Sequence, residues 1–245
     1  MREIELLEIL NEAVLRCMEE REVAIAFSGG LDSALIAGVA KRHGKVKCYT
    51  AGVSGAGDIL WSSQAAALLG IEHQKLEIRE EDVLCLAKEF QKKTGIASLL
   101  TLSYELPVYA VLKVAVEKTV LTGAGADELF GGYKRYLRMS PSELERQIKK
   151  DLEKAISERE IERRIAAELG KRIHAPFLDE KVVRFALSLE AEQKIAGERR
   201  KVILRECARI AGLPREIYER EKKAAQYSSG FYRVLRRNFC RDRFV

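Results

Sequence analysis

Residues 22–33 read Glu-Val-Ala-Ile-Ala-Phe-Ser-Gly-Gly-Leu-Asp-Ser, and the change of character inside that stretch decides the fold. Glu22 to Phe27 is a short apolar run of the kind buried on both faces of a parallel sheet. Gly29 and Gly30 end it, and Ala34 to Arg42 continues at helical spacing. A strand that stops in two glycines and opens into a helix makes a turn through which backbone can approach a ligand closely. Its N–H groups and the hydroxyls of Ser28 and Ser33 converge on one spot at the positive end of a helix. That spot suits an anion, phosphate above all. It also lies where open α/β sheets bind their ligands, at the carboxyl ends of the strands.

Working outward, Val46 to Val53 predicts a second strand, Ser62 to Leu69 a helix and Glu72 to Ile78 a third strand. Glu80 to Lys93 is helical, residues 104–117 are apolar on nearly every side, and Thr119 to Thr122 makes a short fourth strand. This alternation predicts a doubly wound, mainly parallel α/β sheet. Before it, Ile4, Leu7, Leu10, Val14 and Cys17 or Met18 recur near 3.6 residues, an amphipathic helix over 3–20. After Tyr136 the pattern changes. Ser140-Pro141-Ser142-Glu143 joins an N-cap, a first-turn proline and a capping-box acid. Leu144, Ile148, Leu152 and Ile156 follow at intervals of four, as do Ile161, Ile165 and Leu169, and the rest reads as helices punctuated by Pro176 and Pro214. One domain is expected, with an α/β lobe over 1–139 and a helical lobe over 140–245.

Composition narrows the function classes. The 245 residues hold 43 Lys+Arg and 37 Asp+Glu, a formal charge of +6, with 47% apolar and 33% charged residues. No uncharged apolar run reaches the ~18 residues of a membrane span, and the start has neither the basic nor the apolar region of a signal peptide. Five scattered cysteines without a Cys-x-x-Cys pair, and three histidines, argue against a disulfide framework and a zinc knuckle. A reducing, cytoplasmic setting is the expectation. The positive charge is localised: residues 197–245 carry 14 Lys+Arg against 6 Asp+Glu. Such a tail suits nucleic acid, a membrane surface or the phosphates of a small ligand.

The loop contains neither a Walker lysine nor a GxGxxG fingerprint. Its distinctive residue is Asp32, which would repel phosphate unless a divalent cation lay between, so the loop implies Mg²⁺. The bland alternative is a tight turn with Asp32 as a helix-start acid. A second cluster, Gly123-Ala124-Gly125-Ala126-Asp127-Glu128-Leu129-Phe130-Gly131-Gly132-Tyr133, follows the fourth strand. Asp127 and Asp32 could then share one Mg²⁺ that screens a leaving pyrophosphate.

The first loop resembles the pyrophosphate loop of N-type ATP pyrophosphatases. The second resembles the Gly-Glu-Gly-Ala-Asp-Glu-Leu-Phe-Gly-Gly-Tyr signature of asparagine synthetases and the related β-lactam synthetases. Pro107-Val108-Tyr109, Pro176-Phe177-Leu178-Asp179, Lys201-Val202-Ile203-Leu204-Arg205 and Arg220-Glu221-Lys222 continue that resemblance in order, from residue 22 to about 230. It implies a five-stranded, Rossmann-like sheet and an AMP-forming activation: a substrate carboxylate attacks the α-phosphate of ATP, pyrophosphate leaves, and a nitrogen nucleophile takes the acyl group to form an amide. Aspartate is the first candidate acid. By resemblance, Ser28, Gly29, Gly30, Ser33 and Gly123 would hold the nucleotide, Asp32 and Asp127 the Mg²⁺, and Val53 the adenine. Lys201 would contact phosphate and Lys222, with Lys223 adjacent, would stabilise charge as the adenylate forms.

Two departures matter. Family synthetases begin with a glutaminase domain whose nucleophile is an N-terminal cysteine. Here Arg2 leads directly into the synthetase pattern, which implies free ammonia, another amine or a separate glutaminase partner. The signature glutamate that positions or deprotonates the nucleophile is Ala124, and the arginine expected two residues before Pro176 is His174. His43 and His73 read as surface and strand residues. A tRNA-modifying enzyme that adenylates a base is the alternative, since Tyr227, Phe231 and Tyr232 interleave with Arg233, Arg236 and Arg237, and Arg241 and Arg243 follow. An amphipathic terminal helix explains the same pattern. A nucleotide-binding protein without amide chemistry is a third reading, and a homodimer is compatible with all three.

Overall fold

The middle strand, β1 (Glu22–Ala26), is the apolar run before the glycines. In the computed structural model, which describes residues 1–220 and 229–239, it is flanked by β2 (Lys45–Val53) and β4 (Thr119–Leu121). Ile25 lies opposite Cys48 on one side and Leu121 on the other. With β3 (Glu72–Ile78) and β5 (Arg172–His174) at the edges, the order is β3-β2-β1-β4-β5, every pair parallel. The doubly wound sheet expected from the sequence is present. Successive β1 side chains enter opposite cores, Val23 and Ile25 on one face and Ala24 on the other.

The connections create the site's location. Helices α2 (Leu31–Ala40) and α3 (Gly57–Leu69) carry the chain outward from β1 through β2 to β3. Helices α4 (Glu80–Thr94) and α5 (Leu99–Val114) then bring it back to β4, on β1's other side. The winding direction reverses between β1 and β4, and at such a switch point open α/β sheets bind ligands outside the carboxyl ends of their strands. Helix α1 (Arg2–Cys17) packs with α2 and with later helices on one face; α4, α5 and the last described helix, Phe231–Phe239, pack on the other.

Three details differ from the pattern reading. The segment after residue 140 is not wholly helical: Arg172–His174 pairs with β4, and a small antiparallel pair joins Ile195–Ala196 to Arg199–Arg200. Strands of two or three residues are too short to show an alternation, and partners define them. On α1 the buried face is Leu6, Leu10, Ala13 and Val14, while Ile4 is 51% exposed, so the stripe is rotated from the one predicted. In α7 (Pro141–Glu168) the capping box of Ser140 and Glu143 forms as read. Leu144, Ile148 and Leu152 are buried, but Ile156 is 52% exposed and Ala155 takes its place. Steps of four residues drift by about 40° each on a 3.6-residue helix, enough to carry the fourth member off the face.

Among the described residues no single helix is long and apolar enough to cross a membrane. Cys48 and Cys207 are buried apolar residues whose thiols are pushed up by desolvation, Cys207 to about 12, and neither is poised as a nucleophile. We expect Leu152→Ala to cost about 2–5 kcal/mol in urea denaturation, and Ile156→Ala under about 0.5 kcal/mol.

Candidate active site

The first loop is built by hydroxyls. Ser33, in the first turn of α2, donates from Oγ to the Gly30 carbonyl at 3.2 Å and accepts the Ser28 backbone N–H at 3.3 Å. The hydroxyls of Ser28 and Ser33 lie 3.2 Å apart, and the Gly30 N–H points to Ser28 Oγ at 3.4 Å. Gly29 takes φ +69°, the left-handed region that favours glycine. These bonds fold the chain tightly over the N-terminus of α2, so Ser28, Gly29, Gly30 and Ser33 form one small cradle.

The second loop lies alongside. A side chain at Gly123 would put its Cβ 2.9 Å from Asp32 Cβ and 3.0 Å from the Ser33 backbone nitrogen. Glycine is therefore what lets the β4 loop lie against the β1 loop. Short α6 (Ala126–Leu129) follows, with Asp127 in its first turn. Gly132 is tighter still, since a Cβ there would sit 1.8 Å from Asp127 Oδ1 and 2.5 Å from Lys201 Cε.

Lys201 joins the two. It precedes the helix Val202–Ile210 in a left-handed conformation, φ +56°. Its Nζ lies 2.7 Å from both oxygens of Asp32 and 2.6 Å from Asp127 Oδ1. Burial opposes the charge on Lys201, but Asp127 and Asp32 outweigh it and hold its pKa above the ordinary lysine value. Two carboxylates from different loops thus converge on one cation. Arg200 donates to the Gly132 carbonyl and Arg205 Nε to the Arg200 carbonyl at 2.9 Å, which fastens the lysine turn to the second loop. Behind it, Tyr133 donates to Glu128 at 2.5 Å. Burial raises the Glu128 pKa against that bond.

Other sequence-predicted residues are placed as follows. Val53 ends β2, is buried, and donates its N–H to the Ser229 carbonyl at 2.9 Å, with Gly230 packed on its side chain. Ala124 is in the second loop, its N–H directed at Thr122 Oγ1 at 3.4 Å. His174 is half-buried at the end of β5, where desolvation lowers its pKa. Phe231 is buried with Val234 and Leu235, whereas Arg233, Arg236 and Arg237 face outward and Arg237 pairs with Glu80. Lys222, Lys223, Tyr227, Arg241 and Arg243 lie outside the described residues. Pattern reading missed Trp61, whose Nε1 donates to the Gly29 carbonyl at 2.7 Å. Its one signal was being the chain's single tryptophan.

A doubly wound parallel sheet with two glycine-rich, acid-bearing loops at its switch point places this chain in the Rossmann-like α/β class. Residues 5–173 and 158–243 match the asparagine synthase family, and the chain belongs to that family. Over 267 residues it is 31% identical to a Methanocaldococcus jannaschii protein assigned as a glutamine-hydrolysing asparagine synthetase, covering 92% of this chain and 49% of that one. The Escherichia coli asparagine synthetase B is 26% identical over 92% of this chain and 44% of its own, and the Gallus gallus asparagine synthetase 29% over 91% and 42%. The chain thus spans about half the length, or less, of the curated relatives it matches. The NMN synthetase of Francisella tularensis aligns over 92% of this chain and 75% of its own, with 14% identity and a TM-score of 0.48.

Removing Lys201 leaves two carboxylates facing each other. Lys201→Met is expected to lower stability by about 3 kcal/mol; Asp127→Asn costs less, because that side chain is 46% exposed. The raised lysine pKa fixes the sign with pH. Its stabilisation is complete below the ordinary value of 10.5 and fades as pH climbs through the higher folded value. The stability difference between wild type and Lys201→Met, followed by urea denaturation, should therefore shrink above that pH.

Proposed function

We propose that this domain activates a small carboxylic acid, aspartate first among the candidates, by AMP-forming reaction with ATP, and passes the acyl group to ammonia or another amine. The observation that carries this reading is the convergence of Asp32, Asp127 and Lys201 between two glycine-rich loops at the switch point. Family membership supports the ligase class, and the relatives' names supply the amide product. A separate glutaminase subunit is one source of the ammonia.

In this reading, Ser28, Gly29, Gly30, Ser33 and Gly123 hold the β- and γ-phosphates with backbone N–H groups and hydroxyls. Val53 borders the adenine. The two carboxylates fit Mg²⁺, which takes one or two carboxylates and completes its shell with phosphate oxygens and water. No cluster of three His, Cys, Asp or Glu that could hold a metal by itself exists among the described residues, so Asp32 and Asp127 would share the ion with the nucleotide's phosphates. When bound, it supplies charge neutralisation to the departing pyrophosphate. Lys201 turns its ammonium from the acids to the same phosphates, and Lys222 stabilises charge at the α-phosphate. The carboxylate of the substrate attacks there, forming the acyl–phosphate bond as the bond to pyrophosphate breaks. The amine then attacks the acyl carbon and AMP leaves. Ala124 offers no acid–base group, so the amine must arrive uncharged.

Exchange of labelled pyrophosphate into ATP across a panel of carboxylic acids tests the first half. We expect acid-dependent exchange that falls about 10²-fold or more in Asp32→Asn and Asp127→Asn. ATP binding without exchange for any acid would overturn the ligase reading, and steeply salt-sensitive tRNA binding in its place would favour base adenylation. Amide formation should rise with pH as the amine loses its proton, and Ala124→Glu should flatten that profile while leaving exchange in place.

A further inference from the structure

Trp61 and Arg220 belong to neither loop, yet together they bear on Gly29. Besides the hydrogen bond from Trp61 to the Gly29 carbonyl, a Cβ on Gly29 would meet Trp61 Cδ1 at 2.7 Å, so the indole lies hard against the loop. On the ring's face sits Arg220, its Cζ 4.2 Å from the ring centroid. Arg220 Nη1 is shielded from solvent and has no hydrogen-bond partner among the described residues. Burial lowers the pKa of this guanidinium, with the Asp58 charge opposing. Leaving a buried charged donor unmet is costly, and stacking on an indole is favourable when desolvated.

The peptide plane gives this contact its consequence. In a planar trans peptide the Gly29 carbonyl and the Gly30 N–H point in opposite directions. Holding the carbonyl on Trp61 therefore aims the Gly30 N–H away from the indole, to the side where it meets Ser28 Oγ. Without that bond a carbonyl dipole is free to turn into the cradle, where it would repel phosphate.

We propose that Trp61 and Arg220 are a positioning pair for the pyrophosphate loop: Trp61 sets the Gly29–Gly30 peptide for anion binding, and Arg220 clamps the indole in place. This role rests on the nucleotide reading above. Two variants test it. Trp61→Phe keeps a flat apolar ring beneath Arg220 and removes the N–H; Arg220→Lys keeps the charge and removes the flat clamp. Calorimetric titration with Mg·ATP and with Mg·pyrophosphate should show about tenfold weaker binding for Trp61→Phe and several-fold weaker binding for Arg220→Lys. Both variants should keep a Tm within a few degrees of wild type. Because Trp61 is the single tryptophan, wild-type emission should change saturably at the calorimetric Kd, and Arg220→Lys should blunt that change. Binding by the wild type that both variants match within twofold, or wild-type emission unmoved at saturation, overturns the positioning role alone. Failure of the wild type to bind either ligand overturns the nucleotide reading and the role together.

Discussion

One ammonium group between two carboxylates organises this domain. Lys201 draws together Asp32 after β1, Asp127 after β4 and the turn before the helix Val202–Ile210, three segments far apart in sequence. The start of a helix suits a single carboxylate, but two acids held this close repel each other and favour a shared partner of opposite charge. A buried ion cluster of this kind adds little net stability compared with apolar packing. What it does supply is geometry, holding two loops at a fixed separation at the point where the sheet changes direction.

Much of this arrangement was legible in the sequence because it is carried by local chemistry. The run Glu22 to Phe27 ends at glycines, and the second cluster repeats glycine with acid, so both loops could be found from their own residues. That the loops are neighbours follows from strand order, which no single stretch encodes. Gly123 and Gly132 look alike in sequence, yet Gly123 makes room for Asp32 and Ser33 and Gly132 for Asp127 and Lys201, and of these four only Asp127 lies in the same stretch. β5 could not be read for a related reason: three residues carry no periodicity, and pairing with β4 makes them a strand. Ile4 and Ile156 show the limit of counting apolar spacing, because the neighbour decides which of two adjacent stripes is covered. Trp61 was out of reach, as nothing local ties residue 61 to residue 29.

In the proposed function, Ala124 separates two roles that the family signature joins. In that reading the cradle, the acid pair and the lysine would handle phosphate, and their contacts do not involve the Ala124 side chain. The missing carboxylate falls where the incoming nitrogen would be met. Chemistry at the nucleotide and chemistry at the acceptor would then be uncoupled within a single short loop.

The bond from Val53 to the Ser229 carbonyl has a bearing on how the chain comes to be folded. β2 is synthesised well before residue 229, so its last N–H finds its acceptor only when that residue has been made, and Lys201 also reaches its acids late. Contacts of such long separation slow the search for the native state, since loop closure must precede any gain. On a ribosome, the carboxyl edge of the sheet would emerge as an open, unfinished rim well before the residues that seal it. That interval is when the apolar end of β2 is most exposed to pairing with the wrong partner.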